Sequence, residues 1–216
     1  RGEAVAQELR AQGGEACFVE ADVARSGDAQ RAVDAALEAY GRLDCAVNSA
    51  ASAAGIGAFA ADVAEDAFDE QLAITLKGVW LCMRAELPAL LAHGGGAIVN
   101  VSSINGLRAT PGASAYAAAK HAVVGLTTSA ALEYAAKGVR INAVCPGPTR
   151  TPMLEGVFEL HAPGDPASAE AAVAGQIPSG RVSESQELGA AIAWLCSAGA
   201  SSVVGQAIAV DGGASA

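Results

Sequence analysis

Short runs of apolar and β-branched residues alternate along the chain with longer alanine-rich stretches that have helical periodicity. The short runs predict β-strands at 15–21, 43–50, 96–103, 139–145 and 206–212. The longer stretches predict helices near 1–14, 27–40, 64–92, 112–136 and 185–198. Each step between successive strands leaves room for a crossover helix, which is typical of a parallel sheet. The sequence therefore predicts an α/β protein in which residues 1–216 form one domain.

One segment, 152–183, shows no regular pattern and is rich in glycine and proline. It is too long for a plain connection, so we predict a substrate loop or lid within the domain. Its apolar residues either line a substrate pocket or anchor the segment to the core; they are Met153, Leu154, Val157, Phe158 and Leu160.

The charge balance narrows the class of partner. The chain carries a formal net charge of −10, with 13 lysines and arginines and no basic block. This composition argues against nucleic acid or an anionic membrane surface and favours a small-molecule ligand. No apolar run is long enough to span a bilayer and no signal segment is recognisable, so a cytoplasmic location is predicted.

The cysteines and histidines lack the spacing of a disulfide framework or a metal site. We predict reduced, buried and inert cysteines, histidines at the surface or in satisfied core positions, and no bound metal. These residues are Cys17, Cys45, Cys82, Cys145 and Cys196, with His93, His121 and His161.

Polar and turn-forming residues follow three of the predicted strands. In an open parallel sheet the ligand lies beyond the carboxyl ends of the strands, where loops and helix N-termini converge. The candidates at that edge are Asn48 and Ser49, Ser102 and Ser103, and the segment 146–151.

Tyr116 and Lys120 are one helical turn apart, so their side chains share a helix face. An ordinary tyrosine titrates near pH 10, and an adjacent ammonium in a poorly solvated cleft is expected to lower that pKa. Such a phenol gives or takes a proton, while the Ser103 hydroxyl orients a substrate oxygen. The alternative for this pair, taken alone, is a phenol and an ammonium that are simply solvated.

The segments around these residues, "GAIVNVSSINGL" and "YAAAKHAVVGLTTSAALEYAAKGVRINAVCPGPTRTPM", form a wider ordered pattern. On these motifs the chain resembles the short-chain dehydrogenase/reductase (SDR) family over nearly its whole length. The resemblance implies a Rossmann-like doubly wound parallel sheet and hydride transfer between NAD or NADP and a secondary alcohol or ketone. In that family the catalytic serine lies thirteen positions before the tyrosine, which selects Ser103 rather than Ser102.

The resemblance also implies roles for individual residues. Tyr116 is the implied general acid or base, Lys120 lowers its pKa and holds the nicotinamide ribose, and Ser103 orients the substrate oxygen. The other implied cofactor contacts are Asp22 and Val23 at the adenine, Asn48, and Pro146, Gly147, Thr149 and Thr151 near the nicotinamide and pyrophosphate.

The chain departs from the family pattern after the second predicted strand and in the long helix that follows. The sequence "NSAA" at 48–51 has Ser49 for a second asparagine and Ala51 for a glycine, which places a methyl group where backbone usually approaches the cofactor. Thr75 stands where the family usually has an asparagine that anchors a water in the proton relay.

The glycine-rich phosphate turn of the family has no counterpart before residue 15. "GIGAFA" at 55–60 matches the pattern formally, but it lies in a later loop and opens no convincing helix. We predict that the first β-α-β portion is missing, and that about 30 upstream residues, another chain or a rearrangement fills the gap in the sheet. The choice between NAD and NADP stays open, because it depends on residues of that portion.

Two functions follow from these features. The first is an NAD(P)-dependent oxidoreductase; the alternative is a non-catalytic member of the family, or a fragment, that self-associates without binding dinucleotide. The resemblance further implies a homodimer or homotetramer that pairs through the helices at 64–92 and 112–136.

Overall fold

The computed structural model describes residues 2–216, apart from the side chain of His161. Its strands form one parallel sheet in the order β1 (Cys45–Asn48), β2 (Gly96–Val101), β3 (Val139–Pro146) and β4 (Ala207–Val210). The parallel α/β prediction is thus confirmed, and four of the five predicted strands lie where the apolar pattern places them.

Helices fill the connections between the strands. They are α1 (Gly2–Ala11), α2 (Ser26–Tyr40), α3 (Glu65–Glu70), α4 (Gly78–Ala92), α5 (Ser114–Tyr134), α6 (Pro152–His161), α7 (Pro166–Ala174) and α8 (Ser185–Cys196). A π-helical turn, Gln71–Lys77, joins α3 to α4, and 3₁₀ turns lie at Ile104–Gly106, Ala135–Lys137 and Ala198–Ala200.

The predicted strand at 15–21 is wrong, since residues 14–22 have no regular structure. A strand forms only where another strand accepts its backbone hydrogen bonds, and within the described residues β1 pairs with β2 alone. Phe18, in the middle of this segment, leaves 47% of its surface exposed. Among the described residues, the apolar run therefore pairs with no strand.

The prediction that 152–183 is irregular is also wrong, because the segment contains α6 and α7. Each helix begins with proline in its first turn, directly after a side-chain cap. Thr151 accepts a hydrogen bond from the Leu154 N–H, and Asp165 accepts one from the Ser168 N–H. Pro152 and Pro166 are thus helix starts, whereas Pro163 and Pro178 lie in turns.

The core lies on both faces of the sheet. Ile98 of β2 packs with α4 and α5, whereas its neighbour Val99 packs with α8 on the opposite face. Residues of α2 pack behind α4 in a third layer, where Val33 contacts Ala85 and Ala89. These layers fix the helix α5 directly beside the carboxyl end of β2.

The five cysteines are free thiols, as predicted, but their burial differs: Cys145 is buried, whereas Cys17 is exposed. The rings of His93, which caps the end of α4, and of His121 in α5 each hydrogen-bond a backbone carbonyl four residues earlier. The prediction for the His161 side chain lies outside the described residues. In the part of the chain that the structure describes, no helix is long and apolar enough to cross a membrane.

Candidate active site

Two serines follow β2 and point in different directions. Ser102 is buried and donates its hydroxyl to the Lys120 carbonyl at 2.9 Å, so it is tied to the α5 backbone. Ser103 caps the 3₁₀ turn that follows, where its oxygen accepts from the Asn105 N–H at 3.1 Å. The alternation of the strand therefore leaves the Ser103 hydroxyl on the side of Tyr116.

Tyr116 lies in the first turn of α5, close enough to Ser103 for their side chains to hydrogen-bond. Burial raises the pKa of the Tyr116 phenol above its ordinary value, and the hydrogen bond with Ser103 lowers it by a smaller amount. The phenol therefore keeps its proton at neutral pH in this structure.

Lys120 is almost completely buried, with 2% of its surface exposed. Its Nζ donates to the Val101 carbonyl at 2.7 Å and lies 5.6 Å from the centroid of the Tyr116 ring. Burial lowers the pKa of the ammonium to about 8. The structure thus brings Ser103, Tyr116 and Lys120 together at the carboxyl end of β2.

The expected lowering of the Tyr116 pKa by Lys120 stays a prediction, because the net shift of the phenol in this structure is upward. Desolvation is the largest influence on the phenol and it acts upward. The ammonium lies over the face of the ring and bonds a backbone carbonyl. Sequence spacing gives the neighbourhood of the two groups but not the depth at which they are buried.

Asn48, a predicted cofactor contact, is buried within a polar network behind the site. Its Nδ2 donates to Glu86 Oε2 at 3.1 Å and to Asn100 Oδ1 at 3.0 Å. Asn100 in turn donates to the Thr127 hydroxyl at 2.9 Å. Both amide hydrogens of Asn48 therefore point into the protein, which fixes the orientation of its side chain.

Glu86 is the charged member of this network. Only 7% of its surface is exposed, and burial raises the pKa of its carboxyl to about 7, although the hydrogen bond from Asn48 opposes the rise. The sequence analysis did not identify Glu86. A signal exists, however, because this acidic residue directly precedes the apolar run "LPALL" of α4.

We expect the Glu86→Gln substitution to stabilise the protein at pH 8 and to change little at pH 5. A carboxyl whose pKa is raised on folding stabilises the folded protein at pH values below its unfolded-state pKa. This contribution is lost as the pH rises through the folded-state pKa of about 7. The ionised form therefore costs on the order of 3 kcal/mol, which glutamine avoids while still accepting from Asn48.

Urea unfolding between pH 5 and pH 8 measures this effect. The exposed Glu38 of α2 supplies the control, since Glu38→Gln should shift the free energy of unfolding by less than about 0.5 kcal/mol. Parallel pH profiles for wild type and Glu86→Gln would contradict the assignment.

The segment 146–151 forms a tight connection after β3. Gly147 lies against β4, where a Cβ would come within 2.7 Å of the Asp211 Cβ. Thr149 donates its hydroxyl to the Gly147 carbonyl at 2.9 Å, and Thr151 donates to the Thr149 carbonyl at 3.2 Å while capping α6. Pro146 ends β3. These bonds give the segment one defined shape at the same edge of the sheet.

Asp22 and Val23 lie in the turn that leads into α2. The Asp22 carboxylate accepts from the Ala24 N–H at 3.0 Å and pairs with Arg25 at 3.2 Å. Val23 packs against Gly78 at the start of α4, where its Cγ2 would lie 2.8 Å from an added Cβ. Both residues are therefore anchored outside the cluster formed by Ser103, Tyr116 and Lys120.

The hydroxyl of Thr75 faces the loop after β1. It donates to Gln71 Oε1 at 3.0 Å and accepts from the Ser52 N–H at 3.1 Å.

The loop "GIGAFA" forms turns and is followed by α3 only at Glu65, which agrees with the prediction that it opens no helix. Gln71 is a second buried polar residue that sequence reasoning missed.

Comparison with known proteins assigns the family. A family model described as enoyl-(acyl carrier protein) reductase matches residues 1–215. The A-factor type gamma-butyrolactone 1'-reductase (1S-forming) of Streptomyces virginiae is 45% identical over 208 residues, which cover 95% of this chain and 78% of that protein. The chain belongs to this family of short-chain dehydrogenases/reductases.

Solved structures agree with this assignment. The crystal structure of an actinorhodin polyketide ketoreductase variant with NADPH matches with a TM-score of 0.93 and 33% identity, over 99% of this chain and 83% of the other. That of NAD+-bound xylitol dehydrogenase matches with a TM-score of 0.92 and 28% identity, over 98% and 84% of the two chains.

Proposed function

We propose that this protein transfers a hydride between NAD or NADP and a small secondary alcohol or ketone. The observation that carries the proposal is the convergence of three groups at the end of β2. The Ser103 hydroxyl meets the Tyr116 phenol, and the buried Lys120 ammonium lies one helical turn away.

The protonation state of Tyr116 favours the reducing direction at neutral pH. Because burial raises its pKa, the phenol holds the proton that a ketone oxygen needs as the carbonyl becomes an alcohol. Ser103 hydrogen-bonds the same oxygen and keeps it beside the phenol. Alcohol oxidation requires Tyr116 to lose its proton first, so the oxidation rate rises at higher pH.

The residues present fit a dinucleotide. The Lys120 ammonium has three hydrogens, of which Val101 accepts one, so it keeps donors for the hydroxyl groups of a ribose. Asn48, the segment 146–151 and the turn at Asp22 and Val23 complete the proposed contacts. The nicotinamide ring supplies or accepts the hydride when the dinucleotide is bound. Neighbours that hold NADPH and NAD+ support both forms as candidates.

Titration of the natural gene product, with its N-terminus intact, with NADH and with NADPH tests this function. We expect saturable binding of at least one of them, followed by oxidation of the bound dinucleotide when a ketone from a broad panel is added. The alternative, a family member without catalysis, predicts neither binding nor turnover. Absence of binding to both dinucleotides would overturn the proposal.

We also propose that the segment 152–183 divides into anchors and substrate contacts. Phe158 is 5% exposed and packs with Ile177 and Val182, which ties α6 to the domain. Met153 and Leu160 remain 36% and 60% exposed, so they are free to contact an apolar substrate. Substrate KM should rise in Leu160→Ser, and an unchanged KM across the ketone panel would argue against this division.

Among the described residues β1 pairs only with β2, and this unpaired outer edge supports the proposal that the family's first β-α-β portion belongs beside it. Val47 of this strand is 46% exposed, and a cavity of about 210 Å³ lies between β1, α2 and α4. Exposed strand edges are costly, and additional strands would satisfy the backbone groups there. A structure of the natural gene product in which β1 is a bare edge would contradict this.

The groove between α4 and α5 supports self-association. It encloses about 330 Å³, and Trp80 and Leu126 are among the residues that line it. Trp80 is 44% exposed, although it is one of the large apolar residues of the chain. We propose that a second copy packs its own α4 and α5 here, giving a homodimer or homotetramer. Sedimentation as a monomer at all concentrations would refute it.

A further inference from the structure

Two fully buried polar residues hold the loop that follows β1. Gln71 and Thr75 have no exposed surface, and both lie in the π-helical turn Gln71–Lys77 between α3 and α4. A π turn within an α-helix is rare and frequently occurs at functional sites. The two buried polar side chains of this turn are therefore candidates for a functional role.

The Gln71 amide is fully used by its neighbours. Its Nε2 donates to the carbonyls of Ser52 and Ala54 at 3.0 and 2.8 Å, and its Oε1 accepts from the Thr75 hydroxyl at 3.0 Å. Thr75 in turn accepts from the Ser52 N–H at 3.1 Å. A glutamine amide has two donor hydrogens, and both are spent on this one loop.

The loop held in this way connects the parts of the candidate site. It begins after Asn48 at the end of β1 and continues to Gly57, whose N–H donates to the Gly112 carbonyl at 2.7 Å. Gly112 lies two residues before α5, the helix that carries Tyr116 and Lys120. The residues 52–54 have no regular secondary structure of their own, so side-chain bonds set their position.

We propose that Gln71 and Thr75 are positioning residues that shape the loop 49–57 for the dinucleotide. The inference rests on the proposed function, because it assigns that loop to the cofactor side of the site. An apolar side chain at 71 leaves two loop carbonyls without their donor, and the loop then samples several conformations. Dinucleotide affinity falls, whereas the chemistry at Tyr116 is retained once the dinucleotide is bound.

The test compares Gln71→Met, which keeps the length of the side chain, with Asn142→Leu as a matched control. Asn142 is a buried amide that holds a different loop, since it donates to the Val203 carbonyl at 2.8 Å and accepts from the Gln206 N–H at 2.9 Å. Both variants lose amide bonds to a loop and both should lower the melting temperature. Only Gln71→Met should weaken NADH or NADPH binding, by about tenfold or more, with kcat at saturation within about threefold.

A second pair keeps the test decisive if Gln71→Met fails to fold. Thr75→Ser keeps the hydroxyl and should bind dinucleotide like wild type, whereas Thr75→Val removes it and should bind several-fold more weakly. Hydrogen exchange of the amides in 52–57 should accelerate in Thr75→Val and stay unchanged in Asn142→Leu.

Two outcomes distinguish failure of the proposed function from failure of this inference. If wild type binds neither dinucleotide, the proposed function fails. If wild type binds, and the Gln71 and Thr75 variants bind equally tightly while losing stability as Asn142→Leu does, the two residues are structural and this inference is overturned.

Discussion

The Tyr116→Phe variant is expected to lose about 10²- to 10⁴-fold in kcat for ketone reduction, the usual contribution of a positioned general acid. Phenylalanine keeps the aromatic ring beneath the Lys120 ammonium and removes only the proton donor and its hydrogen bond with Ser103. Binding of NADH or NADPH should change by less than about threefold, since the ring and the ammonium remain. Stopped-flow single turnover with saturating dinucleotide measures the loss directly.

Tyr134→Phe is a suitable control for this variant. Tyr134 also lies on α5 and also has a lysine ammonium, that of Lys137, close to its ring at 4.6 Å. It lies at the opposite end of the helix from Ser103. Equal small effects of both substitutions on kcat would remove Tyr116 from the reaction.

The Lys120→Met variant is expected to lose activity without losing stability. Burial disfavours the charged form of Lys120 in the folded state and lowers its pKa to about 8. Below that pH the buried charge therefore reduces the free energy of unfolding. Methionine fills similar space without the charge, and the melting temperature at pH 6 should stay equal or rise. Loss of the ammonium should lower kcat/KM by at least about 100-fold and weaken dinucleotide binding.

The Lys120→Arg variant tests whether a positive charge alone is sufficient at this position. Arginine keeps the charge, but its planar guanidinium does not fit a site in which 2% of the lysine is exposed and Nζ bonds one carbonyl at 2.7 Å. We therefore expect no rescue of activity. A Lys120→Met variant that is strongly destabilised at pH 6, or that keeps dinucleotide affinity, would show that the ammonium is chiefly a structural donor to Val101.

Local patterns were sufficient to predict the sheet and the neighbourhood of the site. Apolar runs separated by helical stretches placed β1 to β4, and the two central strands, β2 and β3, are buried and have continuous apolar sequences. The helical spacing of Tyr116 and Lys120 placed both side chains on one face of α5. Because side chains alternate along an extended backbone, the hydroxyls of Ser102 and Ser103 point to opposite sides and have different hydrogen-bond partners.

Properties that depend on distant parts of the chain could not be read locally. The run 15–21 has the composition of a strand, but pairing requires a neighbouring edge that composition does not reveal. The pKa values of Tyr116 and Glu86 move upward because several elements exclude water around them. Gln71 looks like an ordinary polar helix residue until the fold brings the carbonyls of 52–54 to its amide.

A crystal structure with bound NAD(P)+ and an unreactive ketone analogue would test the central claim most directly. We expect the Tyr116 oxygen and the Ser103 hydroxyl both to lie within hydrogen-bond distance of the analogue's oxygen, with the Lys120 ammonium on the nicotinamide ribose. A complex in which the dinucleotide binds elsewhere, or in which the Tyr116 oxygen turns away from the analogue, would contradict the account.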